Sequence, residues 1–211
     1  MDRRTLIGSV ACLALAATAS APAAAQDTAL DQKVRRFLES RRGGWRDMNV
    51  PWKDGQLLHD LVVKNKYTRA LEIGTSTGHS GVWIAWALAK TGGKLVTIEI
   101  DARRHAEAVK SFEEAGVAAF VDARLADAHE LVKQLPGPFD FVFSDADKDW
   151  YPQYFRDVDP KLVVGGCFTA HNVNWRSGGV AEFLELVQKL PNYETTIEGS
   201  GEGVSVSYKR K

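Results

Sequence analysis

The chain has 211 residues, with 27 basic side chains, 27 acidic side chains and a formal net charge of zero. Balanced charge without long runs of one sign argues against a partner that is nucleic acid or an anionic membrane surface. The length and a 45% share of hydrophobic residues suit one globular domain with a sizeable core.

The first 25 residues have the composition of an export signal. A charged start at Asp2, Arg3 and Arg4 precedes an alanine-rich apolar run that ends in a small-residue cleavage site at Ala25. We predict cleavage there and export to the periplasm; the protein stays in the cytoplasm if the signal is not used. The arginine pair resembles the twin-arginine signal, although Asp2 stands where Ser or Thr is usual. Polar residues and a proline interrupt the run, so we predict no stable membrane span; an uncleaved membrane tether is the alternative.

The predicted mature chain, residues 26–211, is a single domain with one cysteine. Cleavage leaves 25 basic and 26 acidic residues, and Cys167 has no partner for an intrachain disulfide. Cys167 lies in an apolar run, which favours a buried position. Two N-terminal helices are predicted within 28–66, over about 28–42 and 54–66, from apolar side chains at helical spacing.

From residue 69 onward the hydrophobic pattern alternates between strands and helices. The predicted strands are 69–73, 94–99, 119–124, 139–144 and 162–170. The predicted helices are 78–91, 102–115, 127–135, 149–158 and 178–190. Two final runs, 193–198 and 203–209, are typical of an antiparallel pair. This order predicts an α/β fold, a mostly parallel sheet with helices on both faces, in which the loops after the strands share one ligand-binding rim.

The segment 71–80 joins the first of these strands to a helix through a glycine loop. Gly74 and Gly78 allow a sharp turn and a close approach of the backbone to a ligand. The loop lacks the middle glycine of the dinucleotide fingerprint, and His79 stands where a P-loop has lysine. Glu99, at the end of the next strand, suits the two hydroxyls of a ribose. These features predict a nucleoside site without a phosphate chain, which S-adenosylmethionine fits; a tight turn without a ligand is the alternative.

Two further loops at the same rim carry polar side chains. The block 145–151 reads Asp-Ala-Asp-Lys-Asp-Trp-Tyr and follows a buried strand, and His171 and Asn172 end the next strand. A carboxylate at one strand end, with an imidazole and an amide at the neighbouring one, can form a metal site.

Residues 54–209 resemble the O-methyltransferases of the catechol and caffeoyl-coenzyme A type and their bacterial relatives. The segments that carry the resemblance, in family order, are the glycine loop, Glu99, Asp127-Ala128, the 145–151 block and His171-Asn172. The resemblance implies a Rossmann-like seven-stranded methyltransferase sheet with an antiparallel C-terminal hairpin. It also implies S-adenosylmethionine as methyl donor and a small hydroxylated, aromatic acceptor, and it leaves a homodimer open.

The resemblance further implies roles for individual residues. Glu99 would hold the ribose, Asp145 and Asn172 would match metal ligands, and Lys148 would lie beside the acceptor hydroxyl. The full set of implied donor-binding residues is Glu72, Gly74, Ser76, Gly78, Ser80, Glu99, Asp127, Ala128 and Asp145. The predicted catalytic residues are Lys148, Asp145 and His171.

His171 departs from the family pattern, because the metal-dependent members have an Asp before that Asn. Two carboxylates and an amide suit magnesium, whereas an imidazole offers nitrogen and removes a negative charge. We therefore predict that Asp145, His171 and Asn172 bind Mn, Fe, Ni or Zn in preference to Mg, or bind no metal tightly. The alternatives are a strand-capping role for His171 and a solvated role for Lys148. Without a metal, Lys148 and His171 would share the base and oxyanion roles.

Export conflicts with methyl transfer, because S-adenosylmethionine is made in the cytosol. A second class of function therefore stays open: an exported, non-catalytic member of the fold that binds a nucleoside or a small aromatic compound. A nicotinamide-dependent reductase is a third candidate, which the missing middle glycine weakens.

Overall fold

The computed structural model describes residues 28–45, 47–176, 178–199 and 201–211. The predicted export signal, residues 1–25, lies outside these ranges. The helices are α1 (Ala29–Ser40), α2 (Trp52–Asn65), α3 (His79–Thr91), α4 (Ala102–Ala115), α5 (Ala128–Gln134), α6 (Tyr151–Val158) and α7 (Gly178–Lys189). The strands are β1 (Arg69–Ile73), β2 (Lys94–Glu99), β3 (Val121–Leu125), β4 (Phe139–Ser144), β5 (Leu162–His171), β6 (Tyr193–Glu198) and β7 (Val204–Lys209).

The predicted elements are confirmed, with boundaries that agree to within two residues. Two of the shifts have a local cause. A 3-10 turn at Ala118–Phe120 delays the start of β3, and another at Lys148–Trp150 delays the start of α6. The second turn begins at Asp147, whose side chain accepts a hydrogen bond from the backbone N–H of Asp149, as is usual for an aspartate that caps a helical turn.

The strands form one seven-stranded sheet in the order β3-β2-β1-β4-β5-β7-β6. The first five strands are parallel, and β7 runs antiparallel to both β5 and β6. This confirms the mostly parallel sheet with an antiparallel C-terminal pair. The chain places β2 on one side of β1 and β4 on the other, so the strand order reverses at β1. Ligands bind beyond the carboxyl ends of strands at such a reversal.

Apolar side chains fill both faces of the sheet. On one face, Phe155, Phe168 and Phe183 pack among α6, β5 and α7. On the other face, α2 and α3 cover β4 and β5 through a second cluster that includes the fully buried Phe141 and Cys167. The prediction of a buried Cys167 is confirmed. Because helices cover both faces, only the ends of the strands are open to a ligand.

The N-terminal helix α1 is tied to α3 by a buried carboxylate. Asp31 accepts a hydrogen bond from Trp86 Nε1 at 2.6 Å and pairs with the Lys90 ammonium group. Thr28 caps the helix by accepting from the backbone N–H of Asp31 and donating to its carboxylate. None of the helices in the described part of the chain has both the length and the apolar composition needed to cross a membrane.

Candidate functional site

A cavity of about 590 Å³ lies at the carboxyl ends of the parallel strands. The loops after β1, β2, β3, β4 and β5 all contribute to its wall, as the sheet order requires. The predicted site residues that line it are Gly74, Ser76, Glu99, Asp127, Ala128, Asp145, Lys148, His171 and Asn172. Three other predicted residues, Glu72, Gly78 and Ser80, are not part of that lining.

Gly74 lets the loop after β1 touch the loop after β4. Its φ is +97°, and a Cβ atom there would lie 2.8 Å from the carbonyl oxygen of Asp145. Any other residue would be strained and would push the two loops apart. Gly78 serves helix packing instead, because a Cβ atom on it would lie 3.2 Å from the Cα atom of Ala108 in α4.

Glu99 is fixed at the cavity rim by three backbone N–H groups. Its carboxylate accepts hydrogen bonds from Ser76 N at 2.7 Å, Ile100 N at 3.0 Å and Asp101 N at 2.9 Å. The side chain is 7% exposed. An ionised carboxylate has about four acceptor positions, so it can still accept from hydroxyl groups in the cavity. Its orientation is set in advance, which lowers the entropic cost of binding.

Glu72 lies beneath the glycine loop rather than in the cavity. Burial raises its pKa to about 7, against hydrogen bonds from Ser80 and Thr97 that favour the ionised form. The Thr97 hydroxyl donates to it at 2.5 Å. Glu72 and Ser80 therefore support the loop from below.

His79 is buried behind the loop and is neutral. Its Nδ1 atom lies 2.9 Å from the carbonyl oxygen of Val50, and Trp83 Nε1 donates to its Nε2 atom at 3.1 Å. Burial lowers the pKa of His79 to about 4, although the hydrogen bond to Val50 opposes this effect. The ring therefore donates through Nδ1 and accepts through Nε2.

A strap of residues 47–50 crosses the glycine loop and extends the cavity wall. Ser76 Oγ donates to the carbonyl oxygen of Asp47 at 2.5 Å, and Asn49 Nδ2 donates to Thr77 Oγ1 at 2.8 Å. The Asp47 carboxylate pairs with Arg104 at 3.0 Å. Sequence reasoning missed this strap, because an irregular loop has no hydrophobic periodicity.

His129 also lines the cavity, although it is not among the site residues predicted from the sequence. Its Nδ1 atom lies 3.2 Å from Asp127 Oδ1 and its Nε2 atom 3.5 Å from Asp147 Oδ2. The ring packs on Trp150 with 4.0 Å between centroids. Its place directly after Asp127-Ala128 is the signal that could have identified it.

His171, Asp145 and Lys148 form a connected charged cluster with Asp54. Lys148 Nζ pairs with Asp145 Oδ1, and Asp145 Oδ2 lies 3.3 Å from Nδ1 of His171. Nε2 of His171 lies 3.0 Å from Oδ2 of Asp54, a fully buried residue of α2. Burial of the ring opposes protonation, but the hydrogen bonds with Asp145 and Asp54 outweigh it and raise the pKa of His171 to about 9.

The predicted metal ligands lie side by side, but their arrangement does not fit a metal ion. Both ring nitrogens of His171 face carboxylate oxygens. Asn172 Nδ2 donates to Glu202 Oε2 at 2.5 Å, and the Lys148 ammonium group occupies one oxygen of Asp145. Within the described ranges, no group of three or more His, Cys, Asp or Glu side chains is arranged to hold a metal. We therefore assign no step of the chemistry to a metal.

The O-methyltransferase family model matches residues 21–195 of the chain. A catechol O-methyltransferase of Niastella koreensis is 37% identical over 152 residues, which are 70% of this chain and 67% of the relative. Caffeoyl-CoA O-methyltransferase 1 of Eucalyptus globulus is 32% identical over 154 residues, which are 71% of this chain and 62% of the relative. The chain thus spans about two thirds of the length of the curated relatives it matches.

Solved structures give the same picture of the fold. An O-methyltransferase from Bacillus cereus in complex with SAH superposes with a TM-score of 0.75 and 26% identity, covering 85% of this chain and 91% of that one. An O-methyltransferase from Streptomyces achromogenes involved in tomaymycin synthesis, in complex with SAM, has a TM-score of 0.74 and 28% identity. That superposition covers 86% of this chain and 91% of the other.

Proposed function

The chain belongs to the O-methyltransferase family, and on that premise we propose that it methylates a hydroxyl oxygen of a small aromatic acceptor, with S-adenosylmethionine as donor. The observation that carries the proposal is that one cavity contains both Glu99, fixed by three backbone N–H groups, and the Lys148–Asp145 pair. A ribose-binding carboxylate and a group able to act on a hydroxyl are the two requirements of this reaction.

Glu99 would hold the ribose hydroxyls of the donor. Gly74 and Ser76, in the loop after β1, would lie along its methionine part, and Asp127 and Ala128 along its adenine. This assignment is supported by their positions in the wall of the same cavity. When bound, the donor supplies a methyl group already activated on its sulfonium sulfur, so the chain has to supply the acceptor oxygen in a reactive form and in line.

Lys148 is the residue proposed to act on the acceptor. The ammonium group that pairs with Asp145 would first release one proton to solvent; the neutral Nζ atom would then take the hydroxyl proton and hold the oxyanion as an ammonium ion. Asp145 supports this role, because its carboxylate fixes the Nζ atom at the end of β4. The proton moves from oxygen to nitrogen, the carbon–sulfur bond breaks, and the carbon–oxygen bond forms.

The proposed acceptor class is a small hydroxylated aromatic compound. The named relatives act on catechol and on caffeoyl-CoA, by their descriptions. A vicinal diol and a single phenol differ in what they need from the site. With no fitting metal to chelate two oxygens, one hydroxyl group beside Lys148 is enough, so both acceptor types are candidates.

Export is a separate proposal, carried by the composition of residues 1–25. It favours a second candidate function, a non-catalytic protein that binds a nucleoside or a small aromatic compound outside the cytosol, because the donor is made inside.

The deciding experiment compares binding with turnover. Calorimetric titration with S-adenosylmethionine, S-adenosylhomocysteine and NAD is followed by transfer of a labelled methyl group to catechol and to a monophenol. We expect both adenosyl compounds to bind, NAD not to bind, and the methyl group to move. Binding without transfer to any acceptor would favour the non-catalytic candidate, and binding of NAD alone would favour a reductase.

A further inference from the structure

The imidazole ring of His171 bridges two carboxylates from opposite sides. Its Nδ1 atom faces Asp145 at 3.3 Å and its Nε2 atom faces Asp54 at 3.0 Å. A third carboxylate, that of Glu202, lies 3.9 Å from Nε2. The ring is 3% exposed, so water does not compete for these contacts.

A metal ion needs a ring nitrogen that carries a lone pair and points at the ion. A histidine between two carboxylate acceptors instead donates through both nitrogens, which only the protonated ring can do. Neither nitrogen is then a ligand. Asp54, which makes the second of these contacts, belongs to the buried part of α2 and cannot move away without unpacking that helix.

The other two predicted metal ligands, Asp145 and Asn172, are also engaged in contacts with neighbouring side chains. Lys148 and His171 pair with the two oxygens of Asp145, and Asn172 donates to Glu202. A divalent ion at this place would therefore have to displace an ammonium group and approach a second cation. Both effects work against binding.

We propose that His171, fixed between Asp54 and Asp145, provides the positive charge that a divalent metal would provide at this position, and that the site works without a metal. Asp54 is a positioning residue in this arrangement, since it contacts the ring at Nε2, on the side away from Asp145. The exclusion of metal follows from the side-chain contacts alone. The claim that catalysis needs no metal rests on the proposed function.

The first test measures metal binding and does not depend on methyl transfer. Protein treated with EDTA is titrated with Mn²⁺ in a calorimeter, beside His171→Asp and the control His105→Asp, which changes a histidine of α4 outside the cavity. We expect no stoichiometric binding by the parent or the control. His171→Asp should bind at least about tenfold tighter than the parent, because it restores an all-oxygen ligand set. One Mn²⁺ ion per parent chain, lost in His171→Asn, would overturn the proposal.

A second measurement on the parent protein removes any dependence on how His171→Asp folds. Long-range ¹H–¹⁵N spectra of the labelled protein, assigned with His171→Asn, report the protonation of each ring nitrogen. We expect both nitrogens of His171 to be protonated at neutral pH, with signals that Zn²⁺ leaves in place. A Zn²⁺-dependent shift of either nitrogen to the metal-bound range would contradict the proposal.

The third test is methyl transfer in EDTA and after each metal is added back. Equal rates are expected. Activity lost in EDTA and restored by a metal would overturn the inference. If the parent binds no metal and transfers no methyl group under any condition, the proposed function fails while the exclusion of metal stands, so the two claims are separable.

Discussion

The Nε2 atom of His171 lies 3.0 Å from the Oδ2 atom of Asp54, although 117 positions separate the two residues in the chain. The contact joins the N-terminal helix α2 to the end of β5, and both side chains are buried. Through it, a helix that precedes the sheet becomes part of the charged cluster at the cavity. The contact between His171 and Asp54 should therefore matter for the stability of the protein as well as for the proposed chemistry.

We expect Asp54→Ala to destabilise the protein strongly, because the buried His171 ring then loses the carboxylate that lies 3.0 Å from its Nε2 atom. Removal of one member of a buried ion pair typically costs about 3–5 kcal/mol. Asp60→Ala is the matched control, because Asp60 is another aspartate of α2 that pairs with a histidine, His59, but its side chain is 63% exposed. Exposed ion pairs contribute about 1 kcal/mol or less. Urea unfolding of both variants measures the difference. Equal losses of unfolding free energy in the two variants would show that the buried pair contributes no more to stability than the exposed pair.

Glu99→Gln should weaken binding of S-adenosylhomocysteine. The amide keeps the size of the side chain. It loses one acceptor oxygen and the negative charge that strengthens the hydrogen bonds from the ribose hydroxyls and from the three backbone N–H groups. A loss of roughly 1–3 kcal/mol is expected for an unsatisfied polar contact. Calorimetry measures the affinity, and Glu107→Gln, on the exposed face of α4, is the control. Affinity equal to that of the parent would remove Glu99 from the donor site.

Sequence patterns predicted the sheet well because its periodicity is strong. β4 is buried along its whole length and β1 over four of its five residues, and such strands read as continuous apolar runs. Glu99 and the 145–151 block were found because parallel strands bring their carboxyl ends to one rim. The Asp54–His171 contact and the strap at 47–50 were not found. They depend on tertiary packing of one helix face and on an irregular loop, for which sequence spacing carries no signal.

The same limit explains the metal prediction. His171 next to Asn172 is compatible with a ligand pair, and the sequence shows only the residue types. The Nε2 atom of His171 faces a carboxylate of α2. Because α2 is far from His171 in the chain, the sequence does not show this contact. Gly78 is a further example, since the loop pattern predicted a sharp turn there, and the structure shows that the residue also packs against α4.

Lys148→Met should reduce turnover much more than donor binding. Loss of a positioned proton acceptor typically costs a factor of about 10²–10⁴ in rate, whereas the Nζ atom of Lys148 pairs with Asp145 and not with Glu99, the proposed ribose-binding residue. Lys133→Met is the control, because Lys133 is exposed and lies 5.8 Å from the ring of Trp150. Steady-state kinetics and calorimetry separate the two effects. Full activity in Lys148→Arg, which keeps the charge but cannot take up a proton, would contradict the role of base.

Export through the twin-arginine route should require both Arg3 and Arg4. We expect a fusion of residues 1–25 to a reporter that is active only after folded export to lose its signal when both arginines become lysine. The control is the double variant Lys33→Arg and Arg35→Lys in the full-length protein, which exchanges the same residue types in α1. Export of the full-length protein should be unaffected by it. A reporter that is exported equally well with the two lysines would point to the general secretory route.

His79 should make the protein less stable in mild acid. The buried ring is neutral in the folded state, where burial lowers its pKa to about 4, and it titrates near 6.5 in the unfolded chain. Between these values the unfolded state binds a proton that the folded state does not. The stabilisation is therefore complete above about pH 6.5 and is lost progressively as the pH falls towards 4, by up to about 3 kcal/mol in total.

Urea unfolding of the parent and of His79→Asn at several pH values between 4 and 8 measures this contribution. Asn can still donate to the Val50 carbonyl but does not titrate, so the stability advantage of the parent should shrink as the pH falls. Glu72 acts in the opposite direction, because burial raises its pKa to about 7 and the folded state then binds a proton first. A Glu72→Gln background should therefore make the acid loss steeper. Parallel curves for the parent and His79→Asn would show that the ring is not held neutral by the contacts with Val50 and Trp83.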